Sequence, residues 1–327
     1  MYSFEELKDI VRKTIDKSVY PEYLPELYDP ISYMMNLNGK RLRPCLVLMG
    51  CNLFSEKIEV AIDPALAIEM FHNFTLMHDD IMDKAPLRRG APTVHQKWNP
   101  NTAILSGDVM LVEAYKLMAR VKPVYLEKVL DIFSRTAALV CEGQQLDMNF
   151  EKQAAVNISA YLQMIELKTA VLLGASLQIG AVTGGAAESD AGGLYGFGKN
   201  LGIAFQLQDD YLDLYGNPEK FGKRVGGDIL ANKKTYLLVK ALELAGGKEL
   251  KVLRKWMTQM ESSESIQEQK VMEVRKVFDA LSIPEKIKAE TALFTERAFT
   301  HLNQIAVPSD RKEILRGFAE NLLRREK

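Results

Sequence analysis

Two stretches of this 327-residue chain carry aspartates in the same D-D-x-x-D pattern. The first is His78-Asp79-Asp80-Ile81-Met82-Asp83 and the second Gln208-Asp209-Asp210-Tyr211-Leu212-Asp213. On a helix, side chains four positions apart share a face, so Asp79 stacks with Asp83 and Asp209 with Asp213. Like charges so placed repel by about 0.2–0.5 kcal/mol on an exposed helix. The repulsion grows where water is excluded, and both pentads sit among Ile, Leu, Phe and Met. A buried carboxylate must be paired or metal-bound. Hard divalent cations bind carboxylate oxygens, and magnesium takes one or two carboxylates plus phosphate oxygens and water. Asp79, Asp83, Asp209 and Asp213 are therefore candidate magnesium ligands. Two such helix faces turned toward each other would hold several magnesium ions around one diphosphate.

A diphosphate also needs fixed donors, and basic clusters accompany both pentads. Gly39-Lys40-Arg41-Leu42-Arg43-Pro44 places three cations beside a glycine, ahead of an apolar run. Arg88-Arg89-Gly90 follows the first pentad, Lys168-Thr169 opens an apolar segment, and Gly222-Lys223 and Asn232-Lys233-Lys234 follow the second pentad. Arginine and lysine make charge-assisted hydrogen bonds to phosphate, arginine in a bidentate fork. His72, two helical turns before Asp79 and on its face, is a candidate diphosphate donor; His78 has no assigned role.

These residues need scaffolding, and the sequence offers helices. No sustained two-residue alternation bounded by hairpin dipeptides occurs. Apolar residues recur three and four apart over Glu5–Ile15, Tyr161–Ile179 and the whole stretch Lys248–Lys327, the last broken at Pro284 and Pro308. The remaining prolines, Pro30 among them, are expected at helix ends or starts. Gly184-Gly185, Gly192-Gly193, Gly226-Gly227 and Gly246-Gly247 are expected to mark connections. No low-complexity linker divides the chain, so residues 1–327 read as one domain of roughly ten or more helices at about 11–12 residues each.

Composition limits the function. The net charge is -1 and the isoelectric point about 6.5, which gives a nucleic-acid partner no electrostatic support. The odd set Cys45, Cys51 and Cys141 forms no C-x-x-C pair. A disulfide framework or zinc site is not expected, and a reducing cytoplasm is. Met1–Lys13 mixes acids and bases and does not read as a signal peptide. The most apolar stretch, Thr169–Thr183, contains Gln178 and is too short to cross a bilayer; it reads as a buried core helix, without membrane insertion.

Taken jointly, the GKRLRP, HDDIMD…RRG, KTA and FQLQDDYLDLYG…GK…NKK segments resemble the trans-isoprenyl diphosphate synthases, the polyprenyl synthetase family, in order and spacing. The resemblance implies an all-α fold, a large helical bundle around a central cavity (the isoprenoid synthase fold), and a homodimer. It implies a trans-prenyltransferase that joins isopentenyl diphosphate to an allylic diphosphate, with about three magnesium ions per site. Residue by residue, Asp79 and Asp83 match the metal ligands of the first motif and Asp209, with Asp213, those of the second. Lys40, Arg43, His72 and Arg89 match the isopentenyl diphosphate pocket. Arg88, Lys168, Thr169, Gln206, Lys223 and Lys233 match the allylic site, and Thr169 and Gln206 are suited to stabilise a carbocation as dipoles. The Lys223–Asp228 stretch is a residue longer than the commonest family spacing, which leaves Lys233 and Lys234 both open.

Product length points to Phe74, five residues before Asp79, and the adjacent Thr75. An aromatic there, before a first pentad without an insertion, resembles short-chain synthases and implies a C15–C20 product with C20 favoured. Ordinary core packing is the competing reading of Phe74. A terpene cyclase would leave GKRLRP unexplained and would carry an Asn/Ser/Glu-type second motif. A histidine–aspartate phosphohydrolase needs more histidines than the four present. A non-catalytic partner subunit would typically have lost its acidic motifs.

Overall fold

A computed structural model describes residues 1–153, 155–217, 225–259 and 263–324. Among these, the structure is all-α apart from one tight antiparallel hairpin, β1 (Leu87–Arg88) and β2 (Ala91–Pro92). In chain order the helices are α1 (Phe4–Asp16), α2 (Pro25–Asn36), α3 (Leu42–Phe54), α4 (Ile62–Met82), α5 (Val94–Lys97), α6 (Pro100–Met118), α7 (Pro123–Lys152) and α8 (Ile158–Ile165). They continue with α9 (Val171–Thr183), α10 (Glu188–Tyr215), α11 (Gly227–Leu230), α12 (Tyr236–Leu244), α13 (Gly247–Thr258), α14 (Glu264–Ala280), α15 (Ile283–Gln304) and α16 (Ser309–Leu323). A π-helical turn, Glu166–Ala170, joins α8 to α9.

The chain groups into two compact units. The first comprises Met1–Ala137, Leu172–Gly198 and Leu302–Leu315; the second comprises Ala138–Val171, Lys199–His301 and the chain from Arg316. In the first, α4 packs along α6 and α3. Small residues let α9 approach α3: a Cβ on Gly50 would strike the Leu177 carbonyl, and one on Gly180 the Val47 carbonyl. The start of α1 is fixed by a capping box between Ser3 and Glu6. In the second unit, Tyr161, Trp256, Phe278, Ile283 and Ile287 lie in the core beneath the second acidic motif.

Three expectations change. Pro30 lies inside α2 rather than at its end. Its missing N–H removes one helical hydrogen bond, and the residue is buried in the core. Gly192-Gly193 falls within α10 and not in a connection. The Tyr161–Ile179 periodicity belongs to one helical run, Ile158–Thr183, of 26 residues, long and apolar enough by composition to cross a membrane. Its most apolar window is 67% buried inside the protein, as a core helix would be.

Candidate functional site

The first acidic motif closes α4. Asp79 and Asp83 share a face, with Asp83 at the C-cap, where the last carbonyls of the helix already carry partial negative charge. Asp80 points the other way and is buried. Arg88 on β1 holds it, Nε donating to Oδ1 at 2.9 Å, and the same guanidinium reaches within 3.8 Å of the Asp79 carboxylate. Burial raises the Asp80 carboxyl above its ordinary value, against the pull of Arg88. Arg88 is driven higher in turn: burial opposes its charge, and Asp80, Asp79 and Asp83 outweigh that opposition.

The β1–β2 turn presents Arg89. Arg89 and Gly90 both take positive φ, 55° and 80°, the geometry that two-residue hairpins require and glycine tolerates at least cost. The guanidinium lies over Gly39, so close that a Cβ there would stand 2.8 Å from Arg89 Nη1. Gly39→Ala should therefore displace Arg89, the flexible partner, with little loss of stability. The expected result is an unchanged melting temperature and about ten- to hundredfold weaker binding of inorganic diphosphate, the loss of one charged hydrogen bond at about 1.5–3 kcal/mol. Titration calorimetry with diphosphate measures it.

The three cations of the GKRLRP segment do not act alike. Arg41 adopts φ 51° before α3 and turns inward. It pairs with the buried Glu69 and donates to the carbonyls of Met35 at 2.6 Å and Leu37 at 2.8 Å. Arg41 thus fastens the loop that carries Gly39 and the exposed Lys40. Arg43 sits in the first turn of α3, its Nη1 3.1 Å from His72 Nε2, and its buried Nε meets no acceptor among the described residues. Desolvation, with repulsion from Arg89, pushes Arg43 down to about 10 despite Glu69.

His72 is held well below 6.5 by loss of solvent and by Arg43, Arg89, Arg88 and Arg41 around it. It is neutral in the fold, so its ring can accept a hydrogen bond from Arg43. The unfolded chain alone takes the proton as pH falls below 6.5. His72 thus contributes stability that is present above that value and lost as pH falls below it. Removing it in His72→Gln should make the chain less acid-sensitive by about 1 kcal/mol between about pH 7 and about pH 5.5. Urea midpoints of both proteins across that range test this, and parallel curves would refute it.

Phe74 is 8% exposed. Its ring lies 5.7 Å from Phe71 and 4.7 Å from the edge-on ring of His78. His78, unassigned from sequence, reaches the Ile104 carbonyl on α6 at 3.2 Å, and Gly107 makes room for it. Thr75 turns its hydroxyl back to the His72 carbonyl at 2.8 Å.

The second acidic motif repeats the division of the first. Asp210 turns inward and is 3% exposed. It accepts the Tyr161 hydroxyl at 2.5 Å, the Tyr236 N–H at 2.9 Å and the Gln206 amide at 3.3 Å. Burial carries Asp210 up to about 6, with Tyr161 pulling the other way. Asp209 and Asp213 lie on the other face of α10. The Asp213 carboxylate accepts the Asp228 N–H at 3.0 Å, and its carbonyl accepts that of Gly226 at 2.8 Å. Lys233 stands 3.9 Å from the Asp228 carboxylate.

Lys168 and Thr169 ride on the π turn, a wide helical turn found often at functional sites. Gly143 of α7 and Gly202 of α10 let two backbones close on it: a Cβ on the first would strike the backbone of Lys168, and one on the second would lie 2.7 Å from Ala170 Cα. Lys168 donates to Asp147 at 2.6 Å, and Lys199 anchors Glu166 at the start of the turn at 3.0 Å. Lys223 lies outside the described residues.

The donor set fits magnesium. It offers carboxylate oxygens in pairs, Asp79 with Asp83 on α4 and Asp209 with Asp213 on α10, and magnesium takes one or two carboxylates plus phosphate oxygens and water. Sequence reasoning missed Glu69, Asp147 and Tyr161. Only Asp147 left a signal: Gly143 in a helix interior, where glycine costs about 0.5–1 kcal/mol and implies a close neighbour.

Comparisons agree with this architecture. The polyprenyl synthetase family profile matches residues 24–274, and the chain belongs to that family. It is 40% identical over 242 residues to a geranylgeranyl diphosphate synthase of Methanosarcina mazei, covering 73% of this chain and 74% of the relative. It is 37% identical over 329 residues to the geranylgeranyl diphosphate synthase of Sulfolobus acidocaldarius, covering 99% and 98%. A solved geranylgeranyl pyrophosphate synthase superposes with a TM-score of 0.95 at 40% identity, covering 100% of both chains.

Proposed function

We propose that this chain is a short-chain trans-prenyltransferase that condenses isopentenyl diphosphate with an allylic diphosphate, depends on magnesium, and yields a C15–C20 product with geranylgeranyl diphosphate favoured. The observation that carries the reading is the cluster of Arg43, Arg88 and Arg89 around a neutral His72, beside the carboxylate row of Asp79 and Asp83. Cations gathered this closely call for an anion, and stacked carboxylates call for a metal. The polyprenyl synthetase profile spans parts of both units, which supports one functional domain.

Lys40, Arg43, His72 and Arg89 hold isopentenyl diphosphate by its charge. Lys168 and Lys233 hold the allylic diphosphate. Asp79 with Asp83, and Asp209 with Asp213, would each hold magnesium. When bound, the metal neutralises charge on a departing diphosphate. As the allylic C–O bond breaks, the lysines and arginines stabilise the charge moving onto oxygen. Gln206 spends its amide N–H on Asp210, leaving its carbonyl dipole and the Thr169 hydroxyl to face the allylic cation. The alkene of isopentenyl diphosphate attacks that cation, and the condensed cation gives up a proton to the released diphosphate, so no protein nucleophile is needed.

The relatives' names and Phe74 support C20. Ile104, Leu105 and Val112 stand 42%, 58% and 57% exposed at helical spacing along α6, which supports a homodimer through that helix. The free Cys45, Cys51 and Cys141 support a reducing, cytoplasmic setting. Purified chain incubated with isopentenyl diphosphate and dimethylallyl, geranyl or farnesyl diphosphate should give C15 or C20 alcohol after dephosphorylation. Chelator should abolish the product and added magnesium restore it. No elongation from any starter would overturn the assignment.

A further inference from the structure

Lys270, on α14, is 1% exposed in a bed of apolar side chains that includes Leu253, Trp256, Val274 and Phe278. A buried ammonium is costly unless it is hydrogen-bonded, and an apolar side chain of the same volume would pack there at less cost. Two of the Lys270 hydrogen bonds reach one short stretch. The ammonium donates to the Leu230 carbonyl at 3.3 Å and to Asn232 Oδ1 at 2.9 Å.

That stretch belongs to the segment wrapped around the second acidic motif. The segment is pinned at its start by Asp213, which accepts the Asp228 N–H, and at its end by Asp210, which accepts that of Tyr236. Between the two pins the chain leaves the single turn of α11 and reverses at Asn232, whose φ is 52°. Left-handed backbone of this kind is costly for most side chains and is held by its surroundings. Two Lys270 bonds fall between these pins, on a turn that the chain also closes with its own bonds, the Asn232 N–H to the Ile229 carbonyl at 3.1 Å and the Lys233 N–H to the Asp228 carbonyl at 2.9 Å. The next residue, Lys233, is exposed and reaches 3.9 Å from the Asp228 carboxylate.

We infer that Lys270 is a positioning residue for the allylic diphosphate: it grips Leu230 and Asn232 from below and so fixes the direction in which Lys233 presents its charge. The inference rests on the proposed prenyltransferase reading and adds to it a residue remote from any cation cluster in the sequence. Lys270 acts through Lys233, so its effect should be selective.

The test uses the full chain and steady-state elongation. Lys270→Met should raise KM for the allylic diphosphate about ten- to hundredfold and leave KM for isopentenyl diphosphate within about twofold, since misplacing one charged hydrogen bond from Lys233 costs about 1.5–3 kcal/mol. Asn232→Gly tolerates the positive φ but removes the Lys270 acceptor. It should shift the same KM in the same direction, and it serves where the lysine variant does not fold. In a Lys233→Ala background, Lys270→Met should have less than about twofold further effect, the signature of residues acting as a unit. A merely structural lysine would raise both KM values together, lower kcat alone, or act multiplicatively with Lys233→Ala, and any of these overturns the inference. Wild-type chain that fails to elongate would instead sink the functional reading, and this inference with it.

Discussion

Asp79→Asn should lower kcat/KM for elongation by about 10³, the scale of losing one preorganised electrostatic contact to a transition state. Asp79 stands on the stacked face of α4, and substitution by its neutral isostere removes one of the charges that would hold magnesium. The fold should survive. Arg88, which reaches within 3.8 Å of this carboxylate, keeps its bond to Asp80 at 2.9 Å, and removing one of two stacked like charges relieves repulsion. The contrasting substitution is Asp80→Asn. Asp80 is buried and its ion pair is partly desolvated, so its loss should appear first as a lower melting temperature and a misplaced Arg88. Circular dichroism melts beside steady-state rates separate the two cases. An Asp79→Asn enzyme within about tenfold of wild type would show that this carboxylate does not hold the metal.

The same contrast shows how far a sequence can be read. Helical periodicity is local, so the D-D-x-x-D spacing alone places Asp79 with Asp83 and Asp209 with Asp213 on shared faces. It does not say what the inward aspartates meet, because Arg88, Tyr161 and the Tyr236 N–H come from other elements. Arg41 and Arg43 look equivalent in the sequence. Their directions are set by Glu69 and His72 on α4. Neither pairing is visible until α3 and α4 are packed. The apolar run Tyr161–Ile179 was legible as helix, but the π turn within it was not: it depends on close approach by Gly143 and Gly202, which lie on other helices. The charged C-terminal third shows no motif, and Lys270 reads there as one more surface lysine on a polar helix. Its burial is a property of the tertiary fold alone.

Phe74→Ala should lengthen the product to C25 or beyond. Phe74 lies about 7–8 Å along α4 from Asp79 at about 1.5 Å per residue, the reach of a partly grown chain whose diphosphate is held at the motif. Its ring is not loose filler. Phe71 backs it at 5.7 Å and His78 abuts it at 4.7 Å, while His78 is itself held by the Ile104 carbonyl and seated over Gly107. A braced aromatic resists displacement by a growing prenyl chain, as a stop requires, because a packed interior deforms in discrete steps and not continuously. Removing the phenyl group leaves a void that an extra five-carbon unit can fill. The void also costs stability, about 3–5 kcal/mol for a buried phenylalanine cut to alanine, so Phe74→Leu is the companion variant, smaller and far less disruptive. Chromatography of dephosphorylated products should show the leucine variant mixing C20 with longer chains and the alanine variant shifted further. If both keep the wild-type distribution while losing stability, Phe74 is core packing and the stop lies elsewhere along the chain.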